Sequence, residues 1–201
     1  RHAHGRGLPP APVMPAVRRQ DIERRLNRMG MRKIIFICVS LVMLAGCAVT
    51  PPIKTSNDVY MRSSVDVDPY KKTTWIRSPM IYNWERMGYY HAFLRALVND
   101  KSVSFYQFYV SDSAKDWRFY DRAYDASGND LDFVEIDHQV TDSAWTKEVF
   151  AINLSRQYLD DAKNTGLNIK AVGKRGDKII TLPGFYVEGF LQKVDEYKGK
   201  H

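Results

Sequence analysis

Residues Met31 to Cys47, MRKIIFICVSLVMLAGC, decide how much of this chain is available to fold. Arg32 and Lys33 precede a run from Ile34 to Leu44 that carries no charge and one polar residue, Ser40. A basic start, a short apolar run and small residues at its end follow the order of a secretory signal. The run falls short of the roughly 20 residues that a helix needs to cross a bilayer core. A segment of this kind is cut away, so the fold has to be sought after it.

The run closes on Leu44-Ala45-Gly46-Cys47, which resembles the lipobox of bacterial lipoproteins. Small residues at Ala45 and Gly46 let an extended backbone enter the signal peptidase, and the Cys47 thiol is the lipid acceptor. The resemblance covers these 17 residues alone and implies a mature chain that starts at Cys47 with acyl chains attached. Two or three chains anchor a protein stably to a membrane, whereas one is marginal. Ala48 stands where, in Gram-negative lipoproteins, an Asp would signal retention in the inner membrane, so in such a host the resemblance implies export to the outer membrane; the expected orientation is toward the periplasm. Residues 1–30, with Pro9, Pro10, Pro12, Pro15 and several arginines, then read as a start called too early, with Met31 or Met29 the initiator, or as a disordered basic extension.

Processing removes the apparent basic character. Residues 1–46 hold nine Lys/Arg and two Asp/Glu, which is the whole of the net charge of +7, and residues 47–201 hold 21 of each sign. A neutral mature chain lacks the electrostatic footprint of a nucleic-acid binder. Cys38 leaves with the signal and Cys47 takes lipid, so no disulfide is expected and packing must hold the domain.

The pattern predicts a tether over 47–68, whose end, Ser63–Asp68, reads as a short edge strand, and a single α+β domain over 69–201. Trp75 to Trp84 is apolar and interrupted by Pro79, as a strand with a packed loop would be. Strands follow at Tyr89–Val98, Val103–Val110, Trp117–Asp125, Leu131–Val140 and Lys147–Asn153, with turn chemistry at Asn99-Asp100-Lys101 and Ala126–Asn129. Two consecutive hairpins suggest a mainly antiparallel meander. The period then changes: Ser155 is an N-cap, Gly166 a stop, and Arg156–Thr165 a helix between them. A hairpin over Leu167–Leu182 precedes a second helix carrying Val187, Phe190, Leu191 and Val194 on one stripe. Gly189 inside that helix costs about 1 kcal/mol against Ala, which points to close packing.

Candidate chemistry is sparse. Arg118, Tyr120, Arg122 and Tyr124 alternate along one strand face and would bind a glycan or a protein by stacking and hydrogen bonding. Glu135 and Asp137 with His91 or His138 offer acid–base groups for a periplasmic hydrolase, but G-x-S-x-G, H-E-x-x-H and a cysteine nucleophile are all missing from the mature sequence. Arg175-Gly176-Asp177 matches an adhesive tripeptide and equally a hairpin tip. Asp125, Asn129, Asp130 and Asp132 lack calcium-loop spacing, so neither metal nor cofactor is expected. The expectation is an outer-membrane-anchored, non-enzymatic binding or structural module. Its lipid on Cys47 meets the membrane and its sheet face meets an envelope protein or peptidoglycan. A hydrolase and a surface adhesin are the alternatives.

Overall fold

The computed structural model describes residues 52–85, 88–99, 102–141 and 145–200. The signal segment, the lipobox at Leu44–Cys47 and residues 1–30 lie outside them.

The chain folds well before residue 69. A seven-residue helix, α1 (Ser56–Arg62), is closed by a capping box: the Asp58 amide donates to the Thr55 hydroxyl at 3.1 Å, and the Asp58 carboxylate accepts from the Thr55 amide at 3.0 Å. Val59 on this helix is fully buried in the core. The expected tether is therefore corrected from residue 52 onward. Pro52 and Asn57 mask a helix that is too short to show a period, and a cap plus one buried valine hold it.

Ten strands follow among the described residues, all paired antiparallel: β1 (Ser64–Asp68), β2 (Thr73–Arg77), β3 (Ile81–Glu85), β4 (Gly88–Asn99), β5 (Ser102–Ala114), β6 (Tyr120–Asp125), β7 (Asp130–Val140), β8 (Thr146–Leu154), β9 (Leu167–Gly173) and β10 (Lys178–Leu182). Helix α2 (Arg156–Thr165) stands between β8 and β9, and α3 (Gly184–Lys200) ends the described chain. The sheet order is β1-β2-β4-β5-β8-β7-β6-β9-β10, with β3 also on β4. The α+β class with a mainly antiparallel sheet is as expected, and so are the hairpins. Their joining is not sequential, because β5 pairs with β8 and the β6–β7 hairpin lies beyond it.

Pro79 explains why β2 and β3 are two strands. They pair with successive halves of β4, and between them Ser78 replaces the ladder: its amide donates to the Leu94 carbonyl and its hydroxyl accepts from the Leu94 amide, both at 2.9 Å. Alternation then sorts each long strand. Tyr90, Ala92, Leu94, Ala96 and Val98 of β4 point inward, as do Tyr106, Phe108 and Val110 of β5 and Phe150, Ile152 and Leu154 of β8. The sheet curls so that Ile76 near one end and Ile180 near the other join one core with Val187, Phe190, Leu191 and Val194 of α3. Each such side chain contributes on the order of 2 kcal/mol by leaving water. At one end of this inner face the alternation delivers charges instead of hydrocarbon.

Candidate functional site: a clamped loop and its cleft

Asp112 on β5 and Glu148 on β8 occupy inward positions directly opposite each other in the antiparallel register. Both are nearly inaccessible, at 2% of their surface. Like charges facing across a strand pair are destabilising, their Cβ atoms being about 5 Å apart. Each carboxylate is instead met by its own set of donors, and those donors build the site.

Asp112 is met by Lys178 of β10, whose Nζ lies 2.5 Å from Oδ1 and 3.1 Å from Oε2 of Glu85. That ammonium also stands 4.8 Å from the centre of the Tyr90 ring. The other oxygen of Asp112 accepts from the Tyr120 hydroxyl at 2.9 Å and lies 3.8 Å from Arg118 Nε. Burial, followed by the Asp112 charge, pushes the Tyr120 phenol far above its ordinary range, so it stays a hydrogen-bond donor.

Glu148 is met by a loop. Its Oε2 accepts the Arg118 amide at 2.7 Å and its Oε1 the Tyr120 amide at 3.2 Å, while His138 Nε2 approaches Oε1 to 3.4 Å. The residue between those two amides is Phe119, held at φ 57°. A non-glycine residue in the left-handed region costs about 1–2 kcal/mol, and it persists only where surrounding bonds over-determine it. The turn after β9 supplies the other half of the grip: the Arg175 amide donates to the Arg118 carbonyl at 3.0 Å and the Lys174 amide to the Phe119 carbonyl at 3.3 Å. Gly173 is required there, since a Cβ would collide with the Arg118 carbonyl oxygen.

The clamped loop lines a cleft of about 410 Å³, walled by Ala114, Lys115, Asp116, Trp117, Arg118 and Arg175. Trp117 is half-buried and stacks on Phe119 with centroids 6.0 Å apart, and its ring meets His138 edge-on at 5.4 Å. The Arg175 guanidinium lies 5.4 Å from the Phe119 ring centre. Among the described residues no carboxylate pairs with Lys115 or Arg175, and the buried Nε of Arg118 makes no hydrogen bond. The cleft presents three cations, one carboxylate and an aromatic shelf.

Sequence alternation located part of this. A bulge between Tyr120 and Arg122 turns both Tyr120 and Ala123 inward, so the expected row is divided. Arg118 precedes the strand and lines the cleft, Tyr120 is buried, and Arg122 is exposed beside Asp121 at 3.1 Å, with Tyr124 half-buried further along β6. A second bulge, between Glu135 and Asp137, corrects the hydrolase grouping. Glu135 swings to His138 Nδ1 at 3.1 Å, Asp137 turns away to bond Gln139, and His91 lies on the outer face of β4 opposite Ser111. In the adhesive tripeptide, Asp177 pairs with Lys170 at 2.7 Å while Arg175 lies over Phe119. Asp125 spends its carboxylate on the Ser127 and Asn129 amides of its own turn, and no group of metal-ligating residues occurs among the described residues. Missed at the outset were Asp112, Glu148 and Lys178, although charged residues at core-phase positions of apolar strands were there to be seen.

No protein-family model, curated protein or solved structure matches the chain.

Proposed function

We propose that this chain is an outer-membrane lipoprotein, anchored through Cys47 and facing the periplasm, that works as a non-enzymatic binding module with the clamped cleft as its contact site. The observation that carries the reading is Phe119 at φ 57°, gripped by Glu148 on one side and the Lys174–Arg175 backbone on the other. Strain maintained at a cleft rim is a mark of pre-organisation, which lowers the ordering cost of binding. The two carboxylates closest to the loop, Asp112 and Glu148, spend their oxygens on internal donors, so they position the site. No helix among the described residues is long and apolar enough to cross a membrane, and in this reading the lipid makes the membrane contact. Only residues 48–51 separate Cys47 from the described domain, a reach of at most about 18 Å.

The test is made in cells, with the full chain carrying a photo-crosslinking residue at position 115 on the cleft or at position 192 on the exposed side of α3. Intact mass should show a chain that begins at Cys47 and bears acyl groups, lost in Cys47→Ala. A discrete adduct from position 115, absent from 192, is expected. A chain retaining residues 1–30 without lipid, or equal adducts from both positions, would sink the proposal.

A further inference from the structure

The cleft assigns its own ligand chemistry. Resting on the binding-module reading above, we infer that it takes a carboxylate-bearing saccharide, with a sugar ring laid against Trp117 and its carboxylate held by Arg118, Arg175 and Lys115.

Two features argue for this class. Charge comes first: the cleft carries Lys115, Arg118 and Arg175 against Asp116 alone. Neither Lys115 nor Arg175 has an internal carboxylate partner among the described residues, and Arg118 keeps a buried Nε without a hydrogen bond. Its closest anion, Asp112, is 3.8 Å away and already shared with Lys178 and Tyr120. Guanidinium forks match the planar geometry of a carboxylate, so the free donors select an acid over a neutral group.

The aromatic shelf is the second feature. Trp117 and Phe119 are stacked and held by a loop whose backbone cannot relax, and Phe119 keeps 37% of its surface exposed. Trp117 lines the cleft wall, whereas Phe119 packs against Trp117 and lies under the Arg175 guanidinium, so the Trp117 indole is the aromatic surface offered to a sugar and the adjacent cations take its polar edge.

The experiment is calorimetry on the detergent-solubilised full chain with three probes: an oligogalacturonate, its methyl ester and a neutral oligoglucoside of equal length. Binding of the acid at least tenfold tighter than of either uncharged probe is expected. It should weaken on raising salt, and weaken about tenfold in Arg175→Gln, since a charge-assisted bond carries roughly that factor. Trp117→Leu should abolish it while thermal unfolding shows the variant folded, and Arg122→Gln on the exposed side of β6 should leave it unchanged. Equal binding of acid and ester, or acid binding unaffected by Arg175→Gln, overturns the carboxylate assignment and leaves the binding-module reading standing. No binding of any probe, with a discrete protein adduct still formed from position 115 in cells, overturns the saccharide class alone. No binding and no adduct overturn both readings.

Discussion

The grip of Glu148 on the loop can be broken with a near-isosteric change. In Glu148→Gln one oxygen survives, while the other becomes an amide that faces a backbone N–H. The site offers nowhere to turn it, because the side chain is 3% exposed and both amides, of Arg118 and Tyr120, converge on it at 2.7 and 3.2 Å. The variant loses one bond to a charged acceptor and leaves a buried donor unpaired, together about 3 kcal/mol. For a domain of this size that lowers the melting temperature by about 9 °C. The more telling readout is local: amide hydrogen exchange at Arg118 and Tyr120 should accelerate at least tenfold, and affinity at the cleft should fall with it. Glu135→Gln is the control, because that carboxylate is 62% exposed and meets only His138; its effect should stay within about 0.5 kcal/mol. If the two amides exchange in Glu148→Gln as they do in the parent, Phe119 is not held by Glu148 and the pre-organisation argument fails.

Three further outcomes follow from the packing. Lys178→Met strands the buried Asp112 charge and should cost about 3 kcal/mol in urea unfolding, the lower end of the range for a broken buried pair because Arg118 and Tyr120 still face it; adding Asp112→Asn should recover part of that loss, and strictly additive losses would show that the pair is not coupled. Gly189→Ala, which an isolated helix would welcome by about 1 kcal/mol, should instead lower the melting temperature, since the new Cβ would lie 2.7 Å from the Val59 Cβ and run into the Ser56 carbonyl of α1. Gly199→Ala in the same helix meets nothing and should not lower it. Burial, followed by the Lys147 charge, holds the His91 imidazole below its ordinary value, so the unfolded chain binds that proton first as pH falls through about 6.5. Stability should therefore decline below that pH more steeply in the parent than in His91→Gln, and parallel pH profiles by thermal denaturation would refute the assignment.

Local chemistry made some elements legible and left others dark. Helix α2 begins and ends where Ser155 and Gly166 say it should: the Ser155 hydroxyl accepts the Tyr158 amide at 3.0 Å, and Gly166 sits at φ 79°. Strand β4 was equally readable, because Leu94, Ala96 and Val98 alternate strictly with Phe93 and Arg95. Helix α1 was not, although its Thr55–Asp58 box was in plain view; seven residues, about two turns, give periodicity little to work on. The two bulges, at Asp121 and Ile136, limited the reading of the site to Arg118 and Tyr120. Each shifts the side chains after it by one face, and a period-2 argument carries no signal for an inserted residue.

The deeper reason the rest of the site escaped is that its frustration is created by pairing, and pairing here is not sequential. Asp112 and Glu148 are unremarkable apart; they become opposed charges only because β5 skips the β6–β7 hairpin and zips to β8. That same skip leaves the connection over residues 115–119 free to double back over the carboxylates, where the Arg118 amide and the Tyr120 amide at the start of β6 answer Glu148. Arg118 and Tyr120 approach Asp112 from the same connection, while Lys178 reaches it from β10. Local rules are broken at three points within this one region, by two facing acids, by a left-handed phenylalanine and by a bulge, and each violation is compensated by the others. An apolar pair at positions 112 and 148 would make a better core and leave the loop unheld. That the chain keeps the costlier arrangement beside its cationic, aromatic cleft is the strongest reason to look for its ligand there.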